Sequence, residues 1–198
     1  MRQLFFTADL HLYDDDIAMY RKFPNAQSYR EIMAKRWNDV VNDEDLVYIL
    51  GDISIVFQPS AVEFIHERLK GHKILIPGNH DSFNTCKLFN EGEKCTVRMP
   101  GDVIKIMDKS IILTHYPVHS DELKFFDFNI HGHIHHPIPA IGYVPLCYPV
   151  PLRSNADYNS IKYPVYCNVN VEFHDWTPVS VNEVIEWFKM NSYDRPNN

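Results

Sequence analysis

The stretch Lys73-Ile74-Leu75-Ile76-Pro77-Gly78-Asn79-His80-Asp81 reads in two halves. Its first half is branched and apolar, the composition of a buried strand. Its second half places four polar or flexible residues directly behind that strand, where they have no evident packing role. The same arrangement recurs on either side of it. Leu4 to Ala8 leads into Asp9 and His11, and Leu46 to Leu50 into Gly51-Asp52. Further on, Ile111 to Thr114 leads into His115, and Phe128 to Ile130 into His131-Gly132-His133-Ile134-His135. Ligand sites in α/β proteins gather beyond the carboxyl ends of strands, so these arrivals are expected to converge on one site.

Helical patterns fill the gaps between the first three strands. Ile32, Met33, Trp37, Val40 and Val41 recur at helical spacing over Ser28 to Val41, and a second helix is expected from Ser60, whose spacing to Glu63 suits a capping box, to about Gly71. Strand and helix alternate, which is an α/β opening. Beyond it, Asp108 to Ser110 suits a hairpin turn between Val103 to Ile106 and Ile111 to Thr114, so mixed rather than purely parallel sheet is expected. Tyr166 to Phe173 reads as strand, and Ser180 with Glu183 as the cap of a last helix, Val181 to Met190, before a frayed tail at Asp194 to Asn198. The Pro- and Tyr-rich stretch 137–164, with Tyr143, Tyr148, Tyr158 and Tyr163, has no clear period and is expected to form a loop or lid.

The 198 residues suit a single domain, 1–198, with 45% hydrophobic and 23% charged composition. No apolar run approaches a membrane span, and the short Leu4-Phe5-Phe6 run leads to Asp9 instead of a cleavage site, so a cytoplasmic location is the default expectation. Cys86, Cys95, Cys147 and Cys167 are dispersed and read as buried or half-buried thiols. The net charge of -7, without a Lys/Arg block, weighs against a broad nucleic-acid surface. Arg21, Lys22, Arg30, Arg98, Arg153 and Lys162 read as ordinary solvated charges before they read as phosphate contacts. Nothing in the sequence fixes an oligomeric state.

Taken singly, most of the polar clusters have ordinary explanations. Asp9-Leu10-His11 suits a capping turn, Gly51-Asp52 many simple turns, and His115 a structural histidine. Their shared position behind strands favours ligation. Imidazole mixed with carboxylate suits Zn, Mn or Fe, whereas an all-oxygen cage would suggest Ca or Mg. Two dications carry about +4, of which Asp9, Asp52 and a bridging hydroxide would remove about three, leaving a centre that attracts a phosphate oxygen. The neutral amide of Asn79 preserves that surplus.

In this order, Asp9-x-His11, Gly51-Asp52, Gly78-Asn79-His80-Asp81, His115 and Gly132-His133-x-His135 resemble the motifs of the calcineurin-like metallophosphoesterase superfamily. Asn168-Val169 and Pro178-Val179-Ser180 are similar to the closing strand and helix of its small bacterial and phage members. The resemblance implies two mixed sheets in a sandwich flanked by helices. It implies two divalent ions, Mn, Fe, Zn or Ni with Mn foremost. One ion would take Asp9, His11, Asp52 and His135, and the other Asp52, Asn79, His115 and His133. His80, oriented by Asp81, would stabilise or protonate the leaving oxygen while a metal-bridging hydroxide attacked a phosphodiester or a small nucleotide-like phosphate. Where many relatives carry a second histidine after the first motif, this chain has Leu12, Tyr13 and Asp14 to Asp16. A silent metal-binding scaffold on the same fold is the alternative, and it leaves His80 without a use. A closed structural zinc site is a third reading with the same shortcoming.

Overall fold

A computed structural model describes residues 2–119, 123–135, 147–148 and 166–191. Two five-stranded mixed sheets pack face to face, as expected. In the first sheet β1 (Leu4–Thr7), β2 (Leu46–Ile49), β3 (His72–Leu75) and β4 (Cys95–Val97) run parallel, and β10 (Val179–Ser180) pairs antiparallel with β1. The crossovers are helical: α1 (Asp15–Tyr20) and α2 (Ala26–Val40), then α3 (Pro59–Arg68), then α4 (Phe83–Phe89). The second sheet has the order β5 (Asp102–Ile106), β6 (Lys109–Thr114), β7 (Phe128–His131), β9 (Tyr166–Asn168), β8 (Cys147–Tyr148), with β6, β7 and β9 parallel and the two outer strands antiparallel. Helix α5 (Val181–Asn191) follows β10, and its Phe188 stacks on Phe128 with centroids 3.7 Å apart.

The period of two along each strand decides the layering. Phe5, Val47, Ile49 and Leu75 face the helices and meet Tyr29, Met33, Trp37, Val62 and Ile65. Phe6, Tyr48, Leu50, Ile74 and Ile76 face the second sheet, where they meet Ile106, Ile111, Leu113, Phe128 and Ile130. Each such side chain, fully buried, contributes about 1.5–3 kcal/mol.

Several boundaries differ from expectation. The hairpin turn is Met107-Asp108, because Ile106 pairs with Lys109, and Met107 adopts φ 57°. Ser60 caps nothing: Pro59 occupies the first helical turn and Gln58 is the N-cap, without a side-chain bond. Ser180 and Glu183 do form the reciprocal box, with Ser180 N–H donating to Glu183 at 2.8 Å and Glu183 N–H to Ser180 Oγ at 3.3 Å. The expected strand at Tyr166 to Phe173 stops at Asn168, bridges Ala8 at Asn170, and turns into a 3-10 helix over Val171–Phe173. Cys95 and Cys167 are buried and Cys86 half-buried, as expected of dispersed thiols. Apart from Cys147–Tyr148, the stretch 137–164 lies outside the described residues, as does the tail Asp194 to Asn198. No helix among the described residues is long and apolar enough to cross a membrane.

At the carboxyl ends of their central strands the two sheets come into close contact, and glycine permits it. A Cβ on Gly132 would lie 2.5 Å from Ala8 Cβ and 2.6 Å from Asp9 Oδ2. On Gly51, which has φ 89°, it would lie 2.5 Å from His115 Nδ1. Gly132→Ala must therefore push the sheets apart or displace Asp9. We expect it to lower stability by about 1–3 kcal/mol, read as an earlier urea midpoint with unchanged slope.

Candidate metal centre

The described residues bring together every side chain in the expected ligand set. Donor atoms of Asp9, His11 and His135 lie within 4.8 Å of one another, and those of Asp52, His115 and His133 form a second such group. His11 Nε2 is 3.3 Å from His135 Nε2, and His135 Nε2 is 3.4 Å from Asp9 Oδ1. In the second group His115 Nε2 is 3.4 Å from Asp52 Oδ2 and 3.0 Å from Asn79 Oδ1. The same Asp52 Oδ2 is 3.9 Å from His11 Nε2, so it stands between the groups.

Local backbone explains the convergence. Asp9 (φ 59°), His11 (φ 45°), Asp52 (φ 59°) and His133 (φ 67°) all sit in the left-handed region. Non-glycine residues there cost about 1–3 kcal/mol each when the conformation is strained, and such residues cluster at functional sites. Each carboxylate is split between two tasks. Asp9 Oδ2 accepts from His133 N–H at 2.9 Å, while its buried Oδ1 has no hydrogen-bond partner. Asp52 Oδ1 accepts from His80 N–H at 2.9 Å, leaving Oδ2 facing His115 and His11. A buried, unpartnered carboxylate oxygen ringed by imidazole nitrogens is costly as it stands, and a divalent cation would satisfy it.

Two of the imidazoles are prepared in the same sense. His115 Nδ1 bonds Leu50 O at 2.8 Å and His135 Nδ1 bonds Glu172 Oε1 at 3.0 Å, so in both rings Nε2 is the atom presented to the centre. Burial, reinforced by the Arg21 charge, pushes His11 down to about 3, the neutral form a cation requires. Burial opposes a charge on His135, yet the nearby Asp9 carboxylate and the bond to Glu172 hold it up at about 9. The Asp52 carboxyl, which burial alone would raise, is held below its usual range by His115.

Two assignments change. Asp81 does not orient His80: its Oδ2 accepts from Asp52 N–H (2.7 Å) and Gly78 N–H (2.9 Å), and its Oδ1 from Ile53 N–H (3.0 Å). It locks the two ligand loops together, and burial raises its carboxyl. The His80 ring is held instead by Ile55 O, 2.9 Å from Nδ1, and stands edge-on to His11 at 5.6 Å. Arg21 is not a solvated charge either. It is buried, donating to Leu10 O and Asp9 O, both at 2.8 Å, and to Glu172 at 2.9 Å. Arg98 pairs with Asp102, Arg30 lies over the Tyr13 ring, and Arg153 and Lys162 lie outside the described residues. Glu172 carries no local motif, so no sequence signal marks it. Tyr116, directly behind His115, is half exposed and packs on His133 with centroids 4.2 Å apart.

No family model matches the chain. It is 34% identical over 139 residues to the uncharacterized protein MJ1445 of Methanocaldococcus jannaschii, covering 68% of this chain and 70% of that one. The gene 66 protein of Mycobacterium phage L5 is 30% identical over 168 residues, covering 70% and 80%. Among solved structures, the protein of unknown function AQ665 from Aquifex aeolicus superimposes with a TM-score of 0.68 at 24% identity, over 94% of this chain and 100% of that one. That likeness is one of fold. An archaeal phosphodiesterase aligns at 18% identity over 85% of this chain and 82% of its own, with a TM-score of 0.45, too loosely to carry a function across.

A cation entering the Asp9 group must displace the proton that His135 holds below about pH 9. Binding should release protons at pH 7, and apparent affinity should fall as pH is lowered, by up to about tenfold per unit for one displaced proton. Calorimetric titrations in buffers of different ionisation enthalpy measure that release directly. Proton-independent binding would contradict it.

Proposed function

From the premise that this chain belongs to one family with the Methanocaldococcus jannaschii protein and the mycobacteriophage gene 66 protein, we propose that it is a dinuclear metal-dependent phosphoesterase of calcineurin-like type. Its substrates would be phosphodiesters or small nucleotide-like phosphate esters. One observation carries the reading: two three-residue donor groups adjoin, with Asp52 Oδ2 between them and an unpartnered Asp9 Oδ1 inside. A structural zinc site needs a single closed group of ligands, and a second group beside it has no structural purpose.

Asp9, His11 and His135 would hold one divalent ion, Asn79, His115 and His133 the other, and Asp52 both. When bound, the ions would supply the positive charge that gathers phosphate oxygens and lowers the pKa of an attacking water. The chain's own groups do the rest. Asp52 fixes the separation of the two positions through its bond from His80 N–H. Asn79 contributes an oxygen without adding negative charge that would repel phosphate. His80 gives its Nδ1–H to Ile55 O, which leaves Nε2 as the atom that takes up or delivers a proton at the leaving oxygen. Exposed Val56, Phe57 and Phe83 flank the loops carrying Ile55 and His80, and they suit a leaving group with apolar surface.

Chelation should abolish hydrolysis, and added Mn should restore it. Asp52→Asn should weaken the second ion before the first, as metal analysis under dialysis would show. If that variant retained both ions and near-normal turnover, Asp52 would not be the shared ligand. His80→Ala should keep both ions while losing about 100- to 10,000-fold on alkyl or nucleoside esters and much less on nitrophenyl esters, whose leaving oxygen needs little protonation. Equal losses on both would instead assign His80 to stabilising the phosphoryl oxygens.

A further inference from the structure

The two donor groups are built alike at their carboxylates and differently at their most exposed imidazoles. His135 is tied: its Nδ1–H donates to Glu172 Oε1 at 3.0 Å, and the same oxygen accepts Arg21 Nε–H at 2.9 Å. Arg21 is itself immobilised, with Nη1 on Leu10 O, Nη2 on Asp9 O, and its guanidinium 5.0 Å above the Tyr29 ring. Asn170 completes the support, since its Oδ1 accepts Glu172 N–H at 2.9 Å while its Nδ2 lies 3.3 Å from His135 Nδ1. Arg21 thus clamps the backbone of one ligand, Asp9, and through Glu172 the ring of another, His135. His133 in the other group donates its backbone N–H to Asp9, but among the described residues its ring is met by packing alone, Tyr116 at 4.2 Å and His115 at 5.0 Å between centroids.

We propose that Glu172, clamped by Arg21, is a positioning residue that makes the Asp9–His11–His135 group the first and tighter of the two to take a divalent ion. The inference rests on the metal-binding reading above and adds an order of loading to it. A ligand held in its binding rotamer loses little freedom when the ion arrives, whereas one held by packing alone must be ordered at that moment. Net charge does not explain the difference, because Arg21 offsets Glu172. The effect is one of orientation, in which the carboxylate fixes both the tautomer and the plane of the His135 ring.

The test is titration of the metal-free full chain with Mn at fixed pH, followed by calorimetry and by elemental analysis after gel filtration. The wild-type chain should bind in two steps separated by about tenfold or more. Glu172→Asp, which keeps the charge but shortens the reach to His135, should weaken the first step by roughly 10- to 100-fold and leave the second within about threefold. Glu172→Gln, which keeps an acceptor at the same reach, should recover part of the loss. Equal affinities in the wild-type chain, or a Glu172→Asp variant that weakens only the second step, would overturn the proposal while leaving a two-metal centre standing. Failure of the wild-type chain to bind Mn would overturn both. Wild-type crystals given one equivalent of Mn provide a check that needs no variant. Anomalous signal should appear at Asp9, His11 and His135, and signal at Asp52, His115 and His133 instead would refute the order.

Discussion

Two crossed hydrogen bonds hold the centre open. His133 N–H reaches back to Asp9, and His80 N–H to Asp52, each occupying one carboxylate oxygen and turning the other inward. Without them both carboxylates would be free to rotate onto nearby donors and quench their own charge. The constraint spreads outward from there. The bond from His133 requires the loop behind β7 to reach the end of β1, which requires glycine at 132. The bond from His80 requires the loops behind β2 and β3 to lie together, which the half-buried Asp81 carboxylate enforces by taking three backbone N–H groups. Left-handed conformations at Asp9, His11, Asp52 and His133 are the local cost of that arrangement, offset by the packed sheets beneath.

The sequence was legible where chemistry and local pattern coincide. Strands ending in ligands announced themselves through apolar runs that stop at Asp, Asn or His, and the central strands of both sheets lie where those runs place them. Shorter elements escape because competing signals mask them. Asp14 to Asp16 looked like a gap in a motif, yet Asp14 is the N-cap of α1, accepting Ile17 N–H at 2.8 Å, and two acidic residues in a first turn suit a helix dipole. Ser60 offered the spacing of a capping box, but Pro59 had already set the helix start. Strands β4, β8 and β10 are two or three residues long, below the length at which a period can be recognised.

Glu172 and Arg21 were illegible for a different reason. They are separated by 151 positions, neither belongs to a pattern, and each in isolation is an unremarkable charge. Only the fold shows that one Glu172 oxygen accepts from both Arg21 and His135. Asp81 was misassigned in the opposite way: adjacency to His80 suggested a partnership, but consecutive residues in a tight loop point in different directions, and its carboxylate serves the backbone.

The bond between Asp9 and His133 spans 124 residues, most of the chain. Closing a flexible loop of that length costs about 4 kcal/mol in chain entropy. An ion gripped at once by Asp9, His11 and His135 would join the two ends of that loop through coordination. Unlike a disulfide it would bind the folded arrangement and not the unfolded chain, so its binding free energy would add to the stability of the fold. The centre would then also be a clasp, its resistance to proteolysis and heat tied to whatever divalent ion its surroundings provide.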